Sequence, residues 1–147
     1  MWFLFLVAGA AALALYMAGF RVADVISNAP GSILGLAEAI KTFEGFYPGT
    51  RAYRNNNPGN LKYTSWTREQ GAIREDDKGF SVFADYETGW RALLNLLLLR
   101  VRQHPEWSIL DLFNSYAPPT ENDTNAYAQF VAKHVGGDIN TKLGELV

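Results

Sequence analysis

The stretch Ile33–Tyr47, ILGLAEAIKTFEGFY, predicts a helix that ends at an acidic residue, Glu44. Its apolar residues recur every three to four positions, the spacing of a helix with one buried face, and Gly45 is a typical residue just beyond a helix end. Glu44 thus falls at a helix C-terminus, where partial negative charge disfavours a carboxylate by about 0.3–1 kcal/mol. The surrounding aromatic rings would remove water and raise its pKa. A residue placed against local preference is a candidate for function; the alternative is a solvated glutamate on an ordinary helix.

The region 32–147 predicts one α+β domain that is mainly helical. Thr50–Asn60 is predicted to be a loop because it contains the run Asn-Pro-Gly-Asn, which also fits a type II turn. Short aromatic-rich segments in Leu61–Phe83, separated by Gly71 and by a turn at Asp77-Lys78-Gly79, predict a small antiparallel sheet. Further helices are predicted to begin after the capping residues Asp85, Ser108 and Asp123 or Thr124.

The N-terminal segment predicts a membrane anchor over residues 1–22, followed by a linker over 23–31. Met1–Phe20 contains no charged residue, and about 20 apolar residues are long enough to cross the hydrocarbon core of a bilayer. A cleaved signal peptide is the competing interpretation, but the basic segment that normally begins one is missing. The sequence therefore predicts one transmembrane helix that holds the protein to a lipid bilayer through Met1 to Phe20.

Composition excludes several classes of function. The 147 residues carry a formal net charge of -2, so general electrostatic binding of nucleic acid is not expected. The chain has no cysteine, which excludes disulfides and thiolate sites, and its two histidines are too few for a histidine-rich metal site. We therefore expect no metal and no cofactor. The sequence does not specify an oligomeric state.

Several motifs occur in an order that resembles a known enzyme family. The run Phe43–Tyr47 followed by Asn56–Leu61 resembles the catalytic start of phage and bacterial lytic transglycosylases of the lysozyme-like superfamily. The resemblance continues through Gly79–Phe83, Gly89–Leu93 and Ser115–Tyr127. It implies a lysozyme-like domain that cleaves the β-1,4 bond between N-acetylmuramic acid and N-acetylglucosamine in the glycan strands of bacterial peptidoglycan, leaving a 1,6-anhydro product.

The resemblance also implies roles for individual residues. Glu44 matches the glutamate that acts first as acid and then as base, and such a cycle needs only one carboxylate. The residues expected to bind substrate are Asn57, Asn60, Tyr63, Phe83, Tyr116 and Tyr127. For Tyr127 the alternative is a core tyrosine at helical spacing.

Two alternatives to this function stay open on the sequence. The related hydrolytic muramidases, which include endolysins, carry an aspartate shortly after the glutamate, whereas this chain has Tyr53 and no aspartate between Glu44 and Asp76. Asp76, Asp77 or Asp85 could still approach Glu44 in space and activate water. The second alternative is a non-catalytic structural virion protein that binds peptidoglycan.

The predicted anchor and the predicted domain together suggest a place of action. We expect a single-pass protein in a virion membrane or a bacterial inner membrane, with its catalytic domain facing peptidoglycan. Such a protein would serve phage genome delivery or host lysis.

Overall fold

The computed structural model describes residues 33–116 and 123–146 of the chain. These ranges form a mainly helical α+β structure with a two-stranded antiparallel sheet. The elements in chain order are α1 (Ile33–Phe43), α2 (Arg51–Arg54), α3 (Ser65–Glu69), β1 (Ala72–Glu75), β2 (Ser81–Phe83), α4 (Tyr86–Gln103), α5 (Ile109–Tyr116), α6 (Thr124–His134) and a 3-10 helix (Leu143–Leu146).

The prediction of a transmembrane helix is contradicted by the described structure. Within residues 33–116 and 123–146, no helix is both long enough and apolar enough to cross a bilayer. The longest helix in these ranges, α4, has 18 residues but carries the charged side chains of Glu87, Arg91, Arg100 and Arg102. The single-pass membrane location depended on that helix and is corrected with it. Residues 1–22 and the linker 23–31, from which both predictions came, lie outside the described residues.

The described chain divides into two compact units. The single domain over residues 32–147 stays a prediction. The central unit comprises residues 37–96. The terminal unit comprises the described residues among 1–36 and 97–147. Helices α1 and α4 each contribute residues to both units.

A short hairpin organises the central unit. Strand β1 pairs antiparallel with β2, with Ala72 opposite Phe83 and Glu75 opposite Ser81, and an irregularity lies between Ala72 and Arg74. The turn predicted at residues 77–79 is present, and Gly79 adopts the left-handed conformation (φ 88°) that favours glycine. All three residues of β2 are buried, so this strand lies in the core of the unit.

Two helices of the central unit were not predicted from the sequence. Residues 51–54, inside the region Thr50–Asn60 predicted as a loop, form α2, which begins after Thr50 because its hydroxyl accepts from the Tyr53 N–H (3.3 Å). Residues 65–69 fall inside the region predicted as sheet, yet they form α3. The reason is a capping box: the Thr64 hydroxyl accepts from the Thr67 N–H (3.1 Å), and the Thr67 hydroxyl accepts from the Thr64 N–H (2.8 Å). This local pairing of two threonines satisfies helix-end donors that a strand would leave for another partner.

The terminal unit is built around an aromatic core. Phe113 on α5 stacks on Tyr127 on α6, with ring centroids 4.3 Å apart, and both side chains are fully buried. Helix α6 begins after Asp123, whose carboxylate accepts from the Ala126 N–H (3.1 Å), so Asp123 rather than Thr124 is the cap. The chain after α6 returns to α5 through backbone bonds such as Leu110 N–H to Ile139 O (3.0 Å).

Candidate active site

The backbone of Glu44 is held by the end of α1. The Gly45 N–H donates to Thr42 O (3.1 Å) and the Phe46 N–H donates to Lys41 O (3.2 Å), with Gly45 at φ 72°. This pair of bonds is the Schellman arrangement, in which a left-handed glycine closes a helix. Glu44 occupies the C-cap position, one residue beyond α1, and its side chain is half-buried. The placement at a helix end, predicted from Gly45, is therefore present in the structure.

Asn57 forms the scaffold of the loop that follows α2. Its side chain is fully buried, and its Nδ2 donates to Leu61 O and to Ser81 O, each at 2.9 Å. Its Oδ1 accepts from the Leu61 N–H at 2.9 Å. Buried polar groups need such partners, and Asn57 provides them for both the loop and β2. Its amide is committed to the protein itself, so contact with a sugar would require the loop to open.

The turn within this loop differs from the predicted type II turn. It is closed by a bond from the Asn60 N–H to Asn57 O (2.9 Å). The left-handed residues are Asn56 (φ 51°) and Asn60 (φ 48°) rather than Gly59. Asparagine tolerates this conformation better than other residues with a side chain. Two asparagines therefore turn the backbone where the sequence pointed to a glycine.

The loop brings Asn60 to Glu44. The Nδ2 of Asn60 donates a hydrogen bond to Glu44 Oε2 at 3.2 Å, across 16 residues of sequence. The Oδ1 of Asn60 is buried and accepts no hydrogen bond from any described residue. The structure thus joins two of the sequence-predicted site residues in one contact within the central unit.

Asp76 has a structural role in the hairpin turn. Its Oδ1 accepts from the N–H groups of Lys78 (2.8 Å) and Phe80 (2.9 Å), and its Oδ2 accepts from Asn55 Nδ2 (2.8 Å). Arg51 lies 3.3 Å from Oδ2. Burial raises the pKa of Asp76, but these hydrogen bonds and the Arg51 charge outweigh it and lower that pKa from 3.8 to about 2. Asp76 is therefore ionised near neutral pH, and both of its oxygens are occupied.

Asp85 also has a structural role. Its Oδ1 accepts from the Thr88 N–H (2.8 Å) and from the Thr88 hydroxyl (2.7 Å), and these two bonds lower the pKa of Asp85. This is the geometry of a helix N-cap at the start of α4, as the sequence predicted. Two of the three aspartates considered as a second carboxylate are therefore used by the fold, while Asp77 is exposed at the hairpin turn.

The other residues predicted to bind substrate are distributed over both units. Phe83 is 1% exposed and Tyr127 is fully buried, so each contributes to a core. Tyr63 is half-buried in the central unit, where its N–H donates to Gly79 O (2.9 Å). Tyr116 is half-buried at the end of α5, where its ring packs edge-to-face with that of Phe113, with the ring centroids 5.9 Å apart. Residues 117–122, which follow Tyr116, lie outside the described residues.

The structure also reveals an aromatic row that sequence reasoning missed. The ring centroid of Phe46 lies 5.2 Å from that of Tyr53 and 5.3 Å from that of Tyr86. The ring centroids of Tyr86 and Trp90 are 6.0 Å apart. Tyr53 is 45% exposed. Lys41 Nζ lies 5.1 Å from the Trp90 ring centroid. Because these residues come from α1, α2, α4 and the turn after α1, only their aromatic character was visible in the sequence.

The described residues contain no group of three or more histidine, aspartate or glutamate side chains that could hold a metal ion. Comparison with models of protein families, with curated protein sequences and with solved structures finds no match to this chain.

Proposed function

We propose that this protein is a lytic transglycosylase that cleaves the glycan strands of bacterial peptidoglycan. The observation that carries the proposal is the Glu44 carboxyl group, half-buried at a helix end and held by an asparagine amide at 3.2 Å. Pairing a carboxylate with a fixed amide, partly shielded from water, suits a group that must give and take a proton at a defined place.

Glu44 performs both proton transfers of the proposed reaction. In the first step, protonated Glu44 donates its proton to the glycosidic oxygen as the bond to the anomeric carbon breaks and positive charge develops on the sugar ring. In the second step, the 6-hydroxyl of the same N-acetylmuramic acid attacks that carbon, and its proton passes to the Glu44 carboxylate. The products are a free 4-hydroxyl on one sugar and a 1,6-anhydro ring on the other, and no water is consumed.

The structural roles of Asp76 and Asp85 favour this one-carboxylate reaction over hydrolysis. A hydrolytic mechanism needs a second carboxylate as base or nucleophile. Asp76 uses both oxygens to hold the hairpin turn, and Asp85 caps α4. A carboxylate with such bonds is held strongly in the ionised state and away from proton transfer to water. Asp77, at the same turn as Asp76, is the aspartate to test as an alternative base.

The aromatic row of Tyr53, Phe46, Tyr86 and Trp90 offers a surface for the sugar rings. Aromatic faces are common in ligand sites because they supply large apolar contact with little conformational freedom to lose. Phe46, an inner member of the row, lies two residues after Glu44 and is therefore close to the proposed acid along the chain. Sugar faces stacked on this row would be held close to the cleaved bond.

Digestion of purified bacterial sacculi by the full chain tests the proposal. The wild-type protein is compared with Glu44→Gln, which keeps shape but cannot donate the acid proton, and with Asp77→Asn. Glu69→Gln is the matched control because Glu69 is an exposed glutamate of the same unit. Released muropeptides are identified by mass spectrometry, and circular dichroism confirms that each variant is folded.

The expected result is a set of 1,6-anhydro muropeptides from the wild type, Asp77→Asn and Glu69→Gln, and none from Glu44→Gln. Reducing ends that disappear in Asp77→Asn would instead identify a hydrolytic muramidase. Sacculi left uncut by folded wild-type protein would overturn both enzymatic functions and leave a peptidoglycan-binding role.

A further inference from the structure

The oxygen of the Asn60 side-chain amide has no hydrogen-bond partner among the residues that the structure describes. Nδ2 donates to Glu44 Oε2, whereas Oδ1 is buried and receives no hydrogen bond from the described residues. A buried acceptor without a donor is costly and rare in native proteins. Its presence beside the proposed acid suggests that the amide is kept for something other than the stability of the loop.

The backbone at Asn60 is tightly constrained. Asn60 has φ 48°, and its N–H is bonded to Asn57 O. Pro58 and Gly59 before it are buried, and Leu61 after it is bonded to Asn57 through both N–H and C=O. The side chain therefore starts from an anchored Cα, and the freedom left to it is rotation of its amide. Such support is what a group needs in order to hold another side chain in place.

We propose that Asn60 is a positioning residue that holds Glu44 in both of its protonation states. The ionised carboxylate accepts a hydrogen bond from Nδ2, as in the structure. When Glu44 is protonated, a half-turn of the amide presents Oδ1 to accept a hydrogen bond from the carboxyl O–H. The two ends of an amide have almost the same shape, so the turn needs no extra space. This role rests on the proposed function, because a one-carboxylate reaction passes through both states of Glu44.

This role differs from the sugar contact expected for Asn60 from sequence. A substrate ligand needs a polar atom that faces solvent or the substrate, but Oδ1 is buried and Nδ2 is directed at Glu44. A sugar-binding residue would mainly affect KM. A positioning residue would mainly lower kcat, because the misplaced acid no longer meets the glycosidic oxygen.

Two substitutions of Asn60 and one matched control test the role in turnover. Asn60→Gly removes the amide yet accepts the left-handed backbone, and Asn60→Asp keeps the shape but replaces the donor with an acceptor. Asn56→Gly is the control, because Asn56 has a similar backbone (φ 51°) in the same loop but donates to Phe83 O instead. Kinetics on sacculi are measured for each full-length variant, with thermal unfolding recorded alongside.

Both Asn60 variants are expected to lose about 10- to 100-fold in kcat with little change in KM, the effect of one hydrogen bond to a charged group. Asn56→Gly is expected to lower stability without a comparable loss of kcat. Full kcat in a folded Asn60→Asp variant would overturn the positioning role. An increase in KM alone would contradict the positioning role and indicate instead that Asn60 binds substrate.

A measurement that does not depend on activity separates this inference from the proposed function. The side-chain amide signals of Asn56 and Asn60 are followed by nitrogen-edited NMR in the wild type and in Glu44→Gln. The Asn60 signal is expected to shift while the Asn56 signal stays in place. A shift in a protein that does not cut sacculi would refute the proposed function but retain the contact, and an unshifted Asn60 signal would refute the contact itself.

Discussion

Replacing Gly89 by alanine should disrupt the loop that carries Asn60. Gly89 is the fourth residue of α4, and a Cβ there would overlap Asn56 O and lie 3.2 Å from Phe83 Cδ2. The first contact is with a backbone atom, so no change of rotamer can relieve it. Asn56 is itself held by a bond from its Nδ2 to Phe83 O (3.1 Å), and the Phe83 N–H is bonded to Asn55 O (2.8 Å). The loop and β2 would have to separate from α4.

The size of the effect follows from these contacts. Overpacking of a tight site costs about 1–3 kcal/mol, and the loss of two hydrogen bonds adds about 1 kcal/mol for each. Replacing a helical glycine by alanine increases the free energy of unfolding by about 1 kcal/mol through helix propensity, which offsets part of this loss. We therefore expect Gly89→Ala to lower the free energy of unfolding by about 2–4 kcal/mol.

Urea unfolding of the full chain, followed by circular dichroism, measures this difference. Gly35→Ala is the matched control, because Gly35 is also a helical glycine but its Cβ would meet Val135 Cγ1 at an ordinary 3.6 Å. That control should be unchanged or more stable by up to about 1 kcal/mol. If Gly89→Ala proves as stable as Gly35→Ala, the close approach of α4 to the loop is not a constraint on this fold.

Three further predictions concern the side chains that hold the central unit. Because the pKa of Asp76 is lowered from 3.8 to about 2, its contribution to the free energy of unfolding is complete above about pH 4 and is lost as the pH falls through about 2. Asp76→Asn should remove about 1–2 kcal/mol at pH 7 and flatten the acid side of a plot of unfolding free energy against pH; an unchanged acid side would contradict the hydrogen-bond network. Asn57→Ala leaves the buried Leu61 N–H without the Asn57 acceptor and removes the hydrogen bonds to Leu61 O and Ser81 O. It should therefore lower the free energy of unfolding in urea by about 2–4 kcal/mol, and a loss below about 1 kcal/mol would mean that the loop rearranges. Asp85→Ala removes the cap of α4 and should lower the urea concentration at the midpoint of unfolding, while an unchanged midpoint would show that the helix does not need this cap.

Local chemistry explains which parts of the fold were predictable. The end of α1 at Gly45, the start of α4 after Asp85 and the turn before Gly79 each depend on a capping or turn residue and on backbone groups a few positions away. Such interactions join residues only a few positions apart, so a sequence pattern can predict them. The same reasoning failed at α3, where a capping box of two threonines outweighed a strand-like composition.

The candidate site was only partly predictable for a different reason. Glu44 was recognisable because its placement at a helix end is a local feature. The scaffold role of Asn57, the occupied oxygens of Asp76 and the exposure of Tyr53 depend on packing between elements, which adjacent residues do not reveal. Three consecutive asparagines look equivalent in the sequence, yet each has a different partner: Asn55 bonds Asp76, Asn56 bonds Phe83 and Asn57 bonds Leu61 and Ser81.

By itself, the sequence determined that an acidic residue closes a helix beside aromatic rings, because helix ends are set by nearby glycine and by apolar spacing. Only the tertiary structure decided what that acid meets. The loop after α2 places Asn60 on Glu44 across 16 residues, because buried Asn57 ties the loop to β2 and left-handed asparagines turn its backbone. Contacts of that kind arise from packing and burial, which a chain acquires only when its distant segments fold together.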